Sequence, residues 1–325
     1  MAACFASVLA LGLAIGVKAL ANQSTVLEPT ERPFKLTANA DLVLLDVSVN
    51  DARGVHVPGL DKNNFQIYEN GQLQTITHFS SEDVPVTVGL VVDTSGSMRA
   101  KHAEVVTAAV VFINASNRQD EVFVVNFNDR ASLGLPGSIP FTDDVRTLRA
   151  ALSMNAAEGR TALYDALVLS LNHLEKGKQN KKTIVLVSDG GNNSSIHGFD
   201  EVMRLVHESR ATIYTIGLLD EDDKDQNPRL LEKLARISGG TAFLPTRMSE
   251  VAEICRVIAS DIRNRYTIGY VPARSGDKSS LRKIKVVARQ SDGRKLAVRT
   301  RTSYVLPESR SLMDQAGVEN RTSGQ

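Results

Sequence analysis

Val84-Pro-Val-Thr-Val-Gly-Leu-Val-Val-Asp-Thr-Ser-Gly-Ser-Met98 is the stretch on which the fold turns. Its first nine residues are almost continuously apolar and rich in valine, the composition of a strand covered on both faces. A helix-like run, 103–114, follows the hydroxyl-rich turn. Asp93, Ser95 and Ser97 alternate in that turn, so one carboxylate and two hydroxyls aim at a single point. Hard oxygen donors of this kind suit a Mg²⁺- or Mn²⁺-type cation. They are poor equipment for catalysis, because no neighbouring base activates either serine.

Working outward, the same pattern repeats. Residues 122–127, 183–188 and 212–218 are short, β-branched, nearly continuous apolar runs. Helical stretches at 101–114, 162–174, 200–210, 228–237 and 250–265 alternate with them, and Gly239-Gly240 supplies a stop before a short strand at 241–244. The fold class that follows is α/β: a Rossmann-like open, mostly parallel sheet flanked by helices. Residues 131–141 contain Gly and Pro and alternate weakly, which suits an edge strand or hairpin. Before this unit, 42–49, 65–68 and 75–79 read as strands, with Glu69-Asn-Gly71 as a hairpin turn. After it, 266–271, 283–289 and 296–304 read as three more. The economical division is a small all-β domain in two halves, 39–82 and 265–306, with an α/β domain at 83–264 inserted between them. Residues 22–38 read as a linker and 307–325 as a disordered polar tail.

A chain of 325 residues with 42% hydrophobic residues and a net charge of +1 describes an ordinary globular protein. That charge gives no push toward nucleic acid or an anionic membrane. Aromatics at 5% and the absence of Trp argue against stacking on single strands. Residues 1–17 are apolar and Ala19-Leu20-Ala21 is an A-x-A-type cleavage site, so 1–21 reads as a signal peptide. Lys18 follows the apolar run instead of preceding it, which leaves a short uncleaved N-terminal anchor as the other reading and the one route to a membrane. Export to the periplasm, cell envelope or medium is expected in both cases. Cys4 lies in this segment, and Cys255, in the apolar pattern Val251, Ile254, Val257, Ile258, reads as a buried small hydrophobe.

Two further pieces complete the metal argument. Gly159-Arg-Thr-Ala-Leu-Tyr-Asp-Ala166 places Thr161 just before a helix, and Ile184-Val-Leu-Val-Ser-Asp-Gly190 puts Asp189 just past a strand. Ligands of open parallel sheets sit at the carboxyl ends of strands, so all five donors reach one rim. D-x-S-x-S, a distant G-R-T-A-L-x-D-A and a strand ending S-D-G resemble the von Willebrand factor type A domain. The resemblance implies a metal-ion-dependent adhesion site formed by Asp93, Ser95, Ser97, Thr161 and Asp189. The flanks, Leu60-Asp-Lys-Asn-Asn-Phe-Gln-Ile-Tyr-Glu-Asn-Gly71 and Tyr266-Thr-Ile-Gly-Tyr-Val-Pro272, resemble a bacterial exported family carrying that domain. The function implied is cation-dependent binding of a protein ligand, whose Asp or Glu carboxylate completes the shell of Mg²⁺, with Mn²⁺ or Ca²⁺ as alternatives. Met98, Arg160, Asn192, Asp220 and Asp222 are expected on the partner-facing rim.

Blander and rival readings stand beside this one. D-x-S-x-S alone is also a helix cap. The acidic run 220–225 is either a second cation site or a solvated loop. Arg282, Lys283, Lys285, Arg289, Arg294, Lys295, Arg299 and Arg301 alternate with apolar residues as the wet face of a sheet. The six histidines form no zinc pattern, and no G-x-S-x-G elbow or P-loop is present. The enzymatic rival is a Mg²⁺-dependent phosphohydrolase with Asp93 as nucleophile, although Ser95 stands where a second acid is usual. The other rival is a structural envelope module braced by the metal.

Overall fold

The computed structural model describes residues 42–220, 224–272 and 281–305. The expected leader, linker and tail, and Asp222, lie outside these residues. Residues 40–325 fall in one compact unit, within which the described residues build two hydrophobic cores.

The chain enters with β1 (Val43–Asn50), β2 (Phe65–Glu69), β3 (Gln72–Gln74) and β4 (Ile76–Ser80). Asn70 and Gly71 at the β2–β3 turn both have positive φ, as a two-residue hairpin demands. The expected hairpin partner of β2 was the strand at 75–79. Instead β3 takes that place, and β4 crosses to another sheet to pair with the later strand Tyr266–Tyr270.

The second core belongs to β5 (Val86–Asp93), α1 (His102–Ala115), β6 (Glu121–Phe127), β7 (Ala131–Leu133), α2 (Val145–Leu152), α3 (Leu163–Leu174), β8 (Lys181–Ser188), α4 (Phe199–Glu208), β9 (Thr212–Gly217), α5 (Pro228–Ser238), β10 (Ala242–Phe243) and α6 (Val251–Arg263). The sheet order is β10-β9-β8-β5-β6-β7, parallel except for the antiparallel edge β7. Every residue of β5 and β8 is buried, Lys181 and Lys182 at the start of β8 included, which explains the nearly continuous apolar runs that follow. Leu90, Val92, Val185 and Val187 meet Val105 and Phe112 of α1 and Cys255 of α6 on one face. On the other face Phe123, in register with Gly89, packs against the tilted ring of His173 of α3 at 4.6 Å between ring centroids. Helices therefore cover both faces. Helix α2, capped by the Asp144 side chain on Thr147 N, was not anticipated. Among the described residues no helix is long and apolar enough to cross a membrane.

The chain then returns with β11 (Tyr266–Tyr270), β12 (Arg282–Ala288), β13 (Ala297–Arg299) and β14 (Ser303–Tyr304). Two four-stranded sheets result, β13-β1-β11-β4 and β14-β12-β2-β3, each drawing strands from before and after the parallel sheet. The single strand expected at 296–304 is two strands, one in each sheet. The basic stretch also departs from a uniform wet face. Arg282 is buried and paired with Glu69 at 2.7 Å, and Tyr270 and Tyr304 donate to the same carboxylate. Arg301 donates to the carbonyls of Ser209 and His207 at the C-terminus of α4, a favourable place for a cation.

Candidate metal centre

Parallel pairing aligns the ends of β5 and β8, and this brings the two aspartates together. Asp93 is the last residue of β5 and Asp189 follows the last residue of β8. Ser188 Oγ donates to Asp93 Oδ2 at 2.7 Å, while Asp93 Oδ1 accepts from Ser95 N at 2.9 Å. Ser97 Oγ donates to Asp189 Oδ2 at 2.6 Å and lies 3.2 Å from Ser95 Oγ. Four of the five expected donors are thus joined by direct hydrogen bonds around one point.

Thr161 stands on the adjoining loop. Gly96 N donates to Gly159 O at 3.1 Å, tying that loop to the serine turn. Thr161 N donates to Asn193 Oδ1 at 2.9 Å, and its carbonyl accepts from Asn193 N and Ser194 N. The Asp189 turn needs glycine: Gly190 has φ +86° and a Cβ there would sit 2.5 Å from Asn227 O. Ser188 and Asn193 are residues the motif reading passed over. Ser188 is visible only as the first letter of S-D-G, and nothing local in the sequence marks Asn193.

The cluster is largely dry: Asp93, Ser95, Thr161 and Asp189 are buried and Ser97 is half-buried. Burial pushes the Asp93 carboxyl up to about 6 despite hydrogen bonds from Ser95 and Ser188, and the charge of Asp189 adds to the rise. Among the described residues neither aspartate has a Lys, Arg or His in ion-pair contact. Nor is any group of three or more His, Cys, Asp or Glu arranged there to hold a metal. A cation at this rim must therefore draw on the hydroxyls of Ser95, Ser97 and Thr161 as well as the two carboxylates. Two formal negative charges and neutral oxygen donors fit a small hard dication, with shell positions left for water or a ligand. The same burial argues against Asp93 as a nucleophile, since both its oxygens are engaged and neither faces solvent.

The expected rim divides. Arg160 is exposed, and its guanidinium donates to Asn193 O. Asp220 is exposed, with its backbone N–H on Gln226 Oε1 at 3.1 Å. Asn192 is half-buried and braces the loop by accepting from Tyr164 N and Ser195 Oγ. Met98 is a correction: it is 0% exposed and belongs to the core, because the short helical turn 96–98 rotates it inward. His197, in the loop before α4, is half-buried with Nδ1 2.8 Å from Asp165 Oδ1.

Several known proteins are similar to parts of this chain. A curated relative, an uncharacterized protein of Synechocystis sp., is 28% identical over 190 residues, which cover 56% of this chain and 42% of that protein. The match thus spans less than half of the relative's length. Among solved structures, a von Willebrand factor type A protein from Catenulispora acidiphila is 16% identical, covering 82% of this chain and 74% of its own at a TM-score of 0.49. The vWF domain of the type V pili tip protein Mfa5 from Porphyromonas gingivalis is 21% identical, covering 34% of this chain and 39% of its own at a TM-score of 0.31. Residues 88–192, which run from the middle of β5 through both aspartates to the turn beyond β8, match the von Willebrand factor type A domain family, and the chain carries that domain.

Proposed function

We propose that the chain is an exported protein-interaction module whose binding depends on a divalent cation. In this reading Asp93, Ser95, Ser97, Thr161 and Asp189 hold Mg²⁺, with Mn²⁺ or Ca²⁺ as substitutes, and an Asp or Glu of the partner protein completes the shell. The observation that carries it is the buried pair Asp93 and Asp189, linked through Ser95 and Ser97 and, among the described residues, with no cationic side chain in ion-pair contact. Two such charges in a dry site are costly unless a cation neutralises them. Binding is favoured over turnover because the buried, doubly bonded Asp93 is a poor nucleophile. Export rests on the sequence of residues 1–21.

The test is calorimetric titration of Mg²⁺ into the EDTA-stripped protein beside Asp93→Ala. The parent should give a saturable heat and the variant none. Capture of an envelope protein on the immobilised chain should then need Mg²⁺ and be lost in Thr161→Ala at an unchanged melting temperature. A well-folded parent that takes up no Mg²⁺, and captures as well in EDTA, would refute the proposal.

A further inference from the structure

A second polar site lies at the opposite end of the parallel sheet, where β8 and β9 begin and the β-sandwich abuts them. A cavity of about 260 Å³ opens at this seam. Lys181, Arg210, Arg301 and Thr300 line it together with Asp46 and Glu82. Lys181, the first residue of β8, is only 7% exposed. Its Nζ makes one long hydrogen bond, 3.4 Å to Arg265 O, and among the described residues no carboxylate lies within ion-pair distance. An ammonium has three donors, and a buried charge without a partner is costly. Burial accordingly depresses the pKa of Lys181. Thr300 also lines the cavity, and its Oγ1 is buried and has no hydrogen-bond partner among the described residues. Arg210 is exposed beside it.

We infer that this seam cavity binds a small oxyanion, a carboxylate or phosphate group, accepting from Lys181 Nζ and Thr300 Oγ1 with Arg210 attracting it from the solvent side. The three cations face two acids. Asp46 is partly occupied by Thr267 Oγ1 at 3.1 Å, and Arg301 is occupied by backbone carbonyls. A group of low charge therefore fits better than a polyanion, and the volume suits a fragment smaller than a typical drug-sized ligand. The site is independent of the cation centre and of the reading given to it.

The experiment is calorimetric titration of the full chain, in EDTA, with inorganic phosphate and separately with acetate. The parent should bind at least one of them, and competition between the two identifies the preferred group. Lys181→Met should weaken binding roughly tenfold or more, the loss of one charge-assisted hydrogen bond. It should melt at the same or a higher temperature, because Met removes an unpaired buried charge. Thr300→Val should weaken binding by a smaller factor, and the exposed Arg210→Ala provides a variant with no folding liability. The inference is overturned if the parent binds neither anion at tens of millimolar. It is equally overturned if Lys181→Met binds as the parent does. Should that variant fail to fold, unchanged binding by Thr300→Val and Arg210→Ala overturns it.

Discussion

Replacing Asp261 by Asn should separate the two cores energetically while leaving the shape of the side chain intact. Asp261 sits on α6 with 14% of its side chain exposed and accepts from four side chains at once, three of them on strands β1, β9 and β13. Ser48 Oγ of β1 lies at 2.6 Å, Tyr214 OH of β9 at 2.5 Å, Arg299 Nη2 of β13 at 2.9 Å and Arg265 Nη2 at 3.1 Å. Burial alone would raise its pKa, but Arg265 and Arg299, with Ser48 and Tyr214, hold it down at about 2 against an ordinary 3.8. That depression corresponds to about 2 kcal/mol. Leaving Arg265, 3% exposed, without its carboxylate adds to the cost, since breaking a buried pair costs about 3–5 kcal/mol. Arg265 keeps a 2.7 Å bond to Gly239 O, and Arg299 is 38% exposed and screened, so the lower end of that range is expected.

The expected loss is therefore about 3 kcal/mol at neutral pH, read as a fall in the urea midpoint at constant slope. The pH dependence has a definite sign. The folded pKa lies below the unfolded one, so the contribution is in force above about pH 4 and is lost as pH falls toward 2. Parent and Asp261→Asn should converge in stability over that acid window. A neutral-pH loss below about 1 kcal/mol, or a gap that does not narrow in acid, would refute the assignment of this carboxylate as an ionic brace.

Two shorter predictions concern buried titratable groups. Asp93→Asn should leave the metal-free protein as stable as the parent or more so, by about 1 kcal/mol, because it removes a buried charge facing Asp189 while keeping acceptors and donors for Ser95 N and Ser188 Oγ. Thermal melts in EDTA and in Mg²⁺ check this: the parent should overtake the variant only when Mg²⁺ is present, and a variant strongly destabilised in EDTA would contradict the argument. Cys255, 3% exposed with its thiol pushed up to about 12 by burial, should react with a thiol reagent only as fast as the native state opens. Rapid labelling of the folded protein at neutral pH would show that α6 is not docked as described.

The parts of this fold legible in the sequence are those whose signal is local. The strands β5, β6, β8 and β9 are buried on both faces, so their apolar runs announce them without reference to neighbours. The serine turn and the S-D-G turn are legible for a related reason: each follows directly from a strand end, and parallel pairing brings strand ends together. Met98 was misplaced because direction within the turn depends on the short helical segment that follows Ser95, which the alternation of Asp93, Ser95 and Ser97 does not encode. Helix α2 was missed because its eight residues bury only Leu148, Ala151 and Leu152.

The β-sandwich was harder, because sheet membership is decided by partners far away in sequence. Residues 296–304 show one apolar alternation, yet Val298 of β13 pairs with Val49 while Ser303 of β14 pairs with Lys283 in the other layer. Between them Arg301 turns toward the end of α4 and donates to the carbonyls of His207 and Ser209 instead of following the strand pattern. Arg282 misled for a similar reason. Alternation grouped it with Lys283 on one wet face, but its partner Glu69 is 213 residues away, so nothing nearby says that Arg282 is sealed while Lys283 is exposed. One group of buried and half-buried charges lies where the two cores meet: Asp261 with Arg265 and Arg299, and Arg301 against α4. Arg299 and Arg301 read as solvent-facing in one dimension because each is neutralised only in three. The consequence is physical: a substitution that looks like a conservative surface change at Asp261 acts on the contact between the sandwich and the sheet.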